Sequence, residues 1–416
     1  TYDFDDLGRQ YRVTQPDPDG EGDLESPVTN YYYDPVGRLA SLVDPVGNTT
    51  SWVYDGLGRM IEETNELDDT RSFEYDNAGN LIQKIDRNGR VTQYGYDGIG
   101  RTVEENWLDS QESVIWTISH AYDSAGRLES VGDDAAEFDY AYDDAGRVLT
   151  ETQTIAGLSP VIVFASQYDG NGNRAQLAAT IGEDDDFVTD YYYDYLDRLE
   201  RIEQYGVQGG NAVAEKRVDL TYNLAGQFDA ITRYKDLDGG SGNLAMTGTC
   251  GYDLAGRLTG LAYTDSLSAT LRGFGWSYDA ANRIIGHDSD IASEDVAANG
   301  YGYDATNQLT SADYTDANRD DESFAYDENG NRTEANGQTY GVPGAANRLS
   351  TDGYYTYKYD AEGNLEYRFA DEDESGDLTT GDTEVTEYTW DHRNRLTKVA
   401  YRPEVGEPVD WAVDYV

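Results

Sequence analysis

Aromatic and polar residues alternate along this chain in short bursts that end on an aspartate. Tyr31-Tyr32-Tyr33-Asp34, Tyr94-Gly95-Tyr96-Asp97, Tyr301-Gly302-Tyr303-Asp304 and Tyr357-Lys358-Tyr359-Asp360 are four of them. Residues two apart lie on one face of a strand, and tyrosine favours strands, so each burst predicts a strand with an aromatic face. The aspartate predicts a turn, because its carboxylate can accept backbone N–H groups two residues on. Glycine follows three residues after the aspartate, as in Asp34-Pro35-Val36-Gly37. That spacing suits a type I turn closed by a left-handed residue. An Arg-Leu pair then opens the return strand, with the arginine able to lay its guanidinium on neighbouring rings.

The unit recurs. Asp34, Asp55, Asp76 and Asp97 are 21 residues apart each time. A second Asp-x-x-Gly turn separates units at Asp44-Pro45-Val46-Gly47 and Asp86-Arg87-Asn88-Gly89. Strand, turn, strand, turn accounts for the period at ordinary strand and hairpin lengths. Looser copies carry Asp123, Asp143, Asp169, Asp194, Asp253, Asp279, Asp304, Asp327 and Asp360. Phe4-Asp5, Tyr222-Asn223 and Trp390-Asp391 are variants, and Gly344 to Leu349 is a worn copy without its aspartate. Roughly sixteen units in series predict one continuous array over residues 1–416, an antiparallel meander of roughly thirty strands with no long helix.

Composition supports a folded chain. Only 38% of residues are hydrophobic, but 36 are tyrosines, whose rings can build a core while the hydroxyl stays polar. With 81 acidic against 30 basic residues the net charge is -51, which makes nucleic acid and anionic membranes poor partners. Cys250 is the one cysteine, so no internal disulfide can form. No apolar stretch reaches the length of a membrane helix. The first residues, Thr1-Tyr2-Asp3-Phe4, already lie inside a repeat. The segment therefore reads as part of a longer, secreted or surface-exposed polypeptide whose export signal lies elsewhere.

The Tyr-x-Tyr-Asp-x-x-Gly-Arg-Leu unit resembles the YD repeat of RHS proteins, of teneurins and of the shell-forming components of insecticidal Tc toxins. The resemblance covers nearly the whole chain. It implies an all-β fold: a long antiparallel ribbon spiralling into a hollow shell, or part of one, that encloses a C-terminal effector or serves as an extracellular body. Two parts of the fuller family pattern are missing from these residues: the Asp-Pro-x-Gly-Leu core signature and a variable toxin domain after the array. The expected partners are the rest of the polypeptide and either an enclosed effector or a cell-surface glycan or protein. The alternative to a structural wall is an adhesin that binds through exposed tyrosines and acidic loops. A wall buries the repeat tyrosines, whereas a binding surface leaves a row of them exposed.

Acidic inserts widen the spacing near residues 17–28, 183–186, 236–244 and 371–382. The last, Asp371 to Asp382, carries oxygen side chains at its first, third, fifth and twelfth positions, Gly376 at the sixth and Leu378 at the eighth. This is the spacing of a calcium loop. Asp371, Asp373, Ser375 and Asp382 would supply side-chain oxygens and Asp377 its backbone carbonyl. The loop departs from the EF-hand pattern in having Asp382 in place of the bidentate glutamate, and it lacks flanking helices. Residues 17–24 and 236–244 read as charged hairpin tips and 183–186 as a solvated loop. Asn48-Thr49-Thr50 and Asn331-Arg332-Thr333 are glycosylation triplets.

No enzyme constellation stands out. His120, His287 and His392 are far apart in sequence, and Cys250 sits in strand-like surroundings. The turn aspartates recur in nearly every unit, which points to structure first. The sequence therefore predicts a non-catalytic scaffold, with calcium as the one candidate ion.

Overall fold

A computed structural model describes residues 1–20, 22, 24–291, 294–314, 319–341 and 345–415, with only the backbone described for residues 290–291 and 294–299. Glu21 and Asp23 of the first insert, and Gly344 of the worn repeat, lie outside the described residues. The chain is all-β: among the described residues there are 34 strands and a single 3-10 turn, Ala345–Asn347. The chain divides into two compact units. The first holds residues 1–117, 302–312 and 321–416, and the second residues 118–301 and 313–320.

In the first unit, strands from Tyr2–Phe4 to Thr102–Leu108 each pair antiparallel with the next in the chain. Its C-terminal part includes a five-stranded antiparallel sheet of Thr356–Tyr359, Leu365–Ala370, Thr383–Trp390, Leu396–Glu404 and Trp411–Asp414. The second unit is built the same way, with chain-neighbour strands paired in antiparallel ladders.

The turn chemistry explains the hairpins. At Asp55, the carboxylate accepts the N–H of Leu57 and of Arg59 at 2.9 Å each, and its other oxygen takes Arg59 Nε at 2.7 Å. Gly58 N–H closes the turn on the Asp55 carbonyl at 3.1 Å. Gly37, Gly58, Gly79 and Gly100 all have φ between 83° and 96°, a region open to glycine at little cost. Where glycine is replaced, Asp197, Asn282, Asn307 and Asn394 take φ of 56–69°, the residue types that tolerate it best. The ladder slips by one residue just before each such turn, as between Val53 and Tyr54, the bulge expected of this hairpin type.

Successive repeats are then gripped by their tyrosines. The hydroxyl of Tyr54 donates to the carbonyl of Leu39 in the preceding repeat at 2.8 Å, Tyr75 to Met60 at 2.8 Å and Tyr96 to Leu81 at 2.7 Å. The same bond recurs at Tyr142, Tyr168, Tyr222, Tyr278 and Tyr326. Trp390 reproduces it with its indole N–H on Leu365 at 2.8 Å. Arginines complete the grip. Arg38 lies 4.6 Å from the Tyr54 ring centre and donates to the Asp55 carbonyl; Arg59 treats Tyr75 and Asp76 alike. The rings form a ladder with guanidinium groups seated on them.

Gly182 (φ 68°) and Glu183 form a tight turn, and Asp184–Tyr193 is a strand. The acidic run 184–186 thus opens a strand where a loop was expected. Asp184 and Asp185 pair with Ile181 and Thr180, and after a shift of register Val188 pairs with Ala178. Residues 236–243 do form a hairpin tip, closed by Lys235 N–H on the Asn243 carbonyl.

The first unit also joins residues far apart in sequence. The last repeats seat on the first through Asn88–Asp360 (2.9 Å), Arg90 to the Asp391 carbonyl (2.6 Å) and the His392 ring stacked 5.0 Å from Trp107. Burial pushes the His392 pKa below its ordinary value. Glu362 is enclosed at the centre, bonded to Arg71 and to the backbone N–H of Arg87. Burial works against its charge, yet these hydrogen bonds and the two guanidinium groups bring its carboxyl down to about 2.

Candidate metal centre

The loop Asp371 to Asp382 bridges strands Leu365–Ala370 and Thr383–Trp390. Its base is anchored in the most enclosed part of the sheet, where Phe369, Val385 and Asp382 itself are almost wholly buried. Gly376 (φ 75°) and Glu374 (φ 55°) turn the chain back. Leu378 is half-buried, as an anchoring residue would be.

Three of the five expected ligand residues come together: carboxylate oxygens of Asp371, Asp373 and Asp382 lie within 4.8 Å of one another. Their recorded hydrogen bonds come from backbone N–H groups and hydroxyls. Asp371 accepts from the N–H of Ser375 (3.2 Å) and Gly376 (2.7 Å). Asp373 accepts from Ser375 N–H (3.0 Å) and Thr379 Oγ1 (3.1 Å). Asp382 accepts from Glu372 N–H (3.1 Å) and Thr379 N–H (2.6 Å). The Ser375 hydroxyl and the bonds from Ser375 N–H and Thr379 hold the Asp373 carboxyl below its ordinary value.

Ser375 and Asp377 engage each other instead: the Ser375 hydroxyl donates to the Asp377 carbonyl at 3.0 Å, while the Asp377 carboxylate pairs with Lys358 at 2.6 Å. Thr379 was not anticipated. Its hydroxyl sits between Asp373 and Asp382, at the ninth position of the loop, from which a calcium loop of this spacing often reaches the ion through water. No Lys or Arg occurs between Arg368 and Arg393. The arrangement is a set of hard carboxylate oxygens close to one another, the donor type that calcium takes.

The other candidate residues are dispersed. His120 pairs with Val131 in one ladder and His287 lies 5.8 Å from Trp276. Cys250 is half-buried opposite Leu261. The amides of Asn48 and Asn331, the two glycosylation acceptors, both donate to Asn347. Among the described residues no helix is long and apolar enough to cross a membrane.

Comparison with known proteins agrees with the repeat fold. The RHS repeat family matches residues 33–70 and 73–106. No curated protein matches the chain. Among solved structures it is similar to the crystal structure of TcdB2-TccC3-TEV, with a TM-score of 0.70 and 16% identity over 100% of this chain and 24% of that one. TcdB2-TccC3 without its hypervariable C-terminal region gives 0.71 and 16% over 97% and 23%. The Photorhabdus luminescens Tc holotoxin pore, carrying a TccC3 mutation, gives 0.69 and 16% over the same shares. The chain spans about a quarter of the length of these solved chains. A turn, a tyrosine and an arginine reused from repeat to repeat are thus matched over two stretches by the RHS repeat model, and the fold of the chain is that of the TcdB2-TccC3 structures.

Proposed function

We propose that this chain is a non-catalytic wall segment of an RHS-type encapsulating shell or extracellular body, working outside the cell as part of a longer polypeptide. One observation carries the reading. The motif tyrosines are all half-buried; at least ten of them spend the hydroxyl on the preceding repeat, and seven of those ten also carry an arginine on the ring face, which leaves them little to offer a ligand. An adhesin would need a row of free rings. A density map of the protein at about 10 Å tests this; a solid rod with no enclosed or curved wall would refute the shell reading, and glycan binding lost on replacing the motif tyrosines would favour the adhesin.

Within that role, calcium at Asp371, Asp373 and Asp382 would staple the last hairpins of the wall. Ser375 and the Asp377 carbonyl could join the shell once their mutual bond opens, with water completing the six to eight oxygens the ion favours. Their support is the convergence of three carboxylates with no basic side chain in the loop. Titration calorimetry with calcium alone should show uptake that weakens in Asp371→Asn/Asp373→Asn. An absence of heat at millimolar calcium would make the loop an acidic hairpin tip.

A further inference from the structure

The residue two places after the turn aspartate meets two different fates in the first unit. In the early repeats it is apolar and open to solvent: Leu7, Val36, Leu57 and Ile99 are each at least three-quarters exposed. In three C-terminal turns it is Asn329, Glu362 and Arg393, and each lands on a residue of the early repeats. Asn329 donates its amide to Asp44 at 2.6 Å. Glu362 accepts from Arg71 Nε at 3.0 Å and from the Arg87 N–H at 2.6 Å. Arg393 grips both oxygens of Glu105, at 3.0 and 2.6 Å. The turns themselves are alike, with the same closing bond on Asp327, Asp360 and Asp391, so the turn backbone cannot distinguish one seat from another.

We propose that this single turn position is the docking key of the ribbon, and that Asn329, Glu362 and Arg393 fix which late repeat seats on which early one. The order of charges makes the key selective. Slid one seat toward the N-terminus, Glu362 would face Asp44 and Arg393 would face Arg71 and Arg87. Slid the other way, Glu362 would face Glu105. Like charges confront each other in both wrong registers, and opposed charges in a desolvated contact discriminate strongly.

Three backbone N–H groups report docking. Ala346 donates to the Asn48 side chain, Ala361 to Asn88 and Arg87 to Glu362. In the intact chain, Arg393→Glu should speed hydrogen exchange at all three, although none touches residue 393, by about tenfold or more, the size of a coupled charge pair. Adding Glu105→Arg should return them to within about threefold of the parent. Glu362→Arg should speed Ala346 and Ala361 by about a hundredfold, the effect of leaving a buried charge unpaired. Leu57→Asp, at the same position of an unseated turn, should leave all three unchanged. Exchange unaltered in Arg393→Glu, or a double variant as fast as the single, would overturn the proposal and reduce these contacts to passive packing.

Discussion

Tyr75 shows how much one residue does. Its ring carries Arg59 at 4.7 Å and its hydroxyl holds the Met60 carbonyl of the repeat before. Replacing it with phenylalanine removes only the hydroxyl bond and should lower unfolding free energy by about 1 kcal/mol in a denaturant titration. Alanine also removes the ring and the arginine's platform, and should cost about 3 kcal/mol, the low end for a core aromatic because the ring is half-buried. The turn aspartates add a pH dependence. In Asp55, Asp97, Asp123, Asp253 and Asp279 the backbone N–H of the arginine four residues on, with its side chain, lowers the carboxyl pKa from 3.8. A carboxyl with a lower pKa when folded binds fewer protons folded than unfolded. Its stabilisation is therefore complete above the ordinary value and drains away as pH falls below 3.8. Repeated in many turns, this should give a steep loss of melting temperature between about pH 4 and pH 2. A melting temperature flat across that interval would show that the bonds contribute nothing net.

At the scale of the hairpin, the left-handed residue decides what a turn tolerates. Gly58 has φ 86°, and Asn282, Asn307 and Asn394 hold the same place elsewhere. Gly58→Val should therefore destabilise by about 1–2 kcal/mol, the penalty for a β-branched residue held left-handed, and Gly58→Asn by clearly less. Equal losses for the two would show that the side chain's environment governs the site. This element was legible in the sequence because everything it needs lies within five residues: a carboxylate, a glycine and an arginine at fixed offsets. The tyrosine's bond to the preceding repeat was less so. Spacing aligned Tyr54 with Tyr75, but nothing in it named the Leu39 or Met60 carbonyl as acceptor, since backbone groups leave no mark in a sequence. The stretch 184–186 went astray for a related reason: acidic side chains describe what water sees, while ladder pairing with Thr180 and Ile181 is decided by the backbone.

Over the whole molecule, the net charge of -51 opposes compaction. Raising NaCl from about 0.01 M to about 1 M shortens the screening length from roughly 30 Å to roughly 3 Å, so the melting temperature should rise with salt. An unchanged value would mean that the charges are too dispersed to matter. The seating of the last repeats on the first could not be read from the sequence. Asn329 and Asp44 are 285 positions apart, and Arg90 and Asn394 304, and a single sequence offers no clue to such pairs beyond a shared period. The three carboxylates of the acidic loop were legible because they are local, and Thr379, at the ninth position of the same spacing, could have been read with them.

The grip of each tyrosine on the repeat before it also has a mechanical meaning. Antiparallel hairpins held end to end by nearest-neighbour bonds resist a pull through one hairpin at a time, as a zip fastener does. A 21-residue repeat drawn straight releases about 70 Å of contour. Force applied between the two ends of the chain should therefore yield a staircase of steps that follow the repeat lengths, about 70 Å for the shortest and about 110 Å for the longest, delayed at the start until the tips at Asn329, Glu362 and Arg393 let go. A ribbon of this kind fails gradually under load, and a wall made of it could lose one course of hairpins while the rest stood.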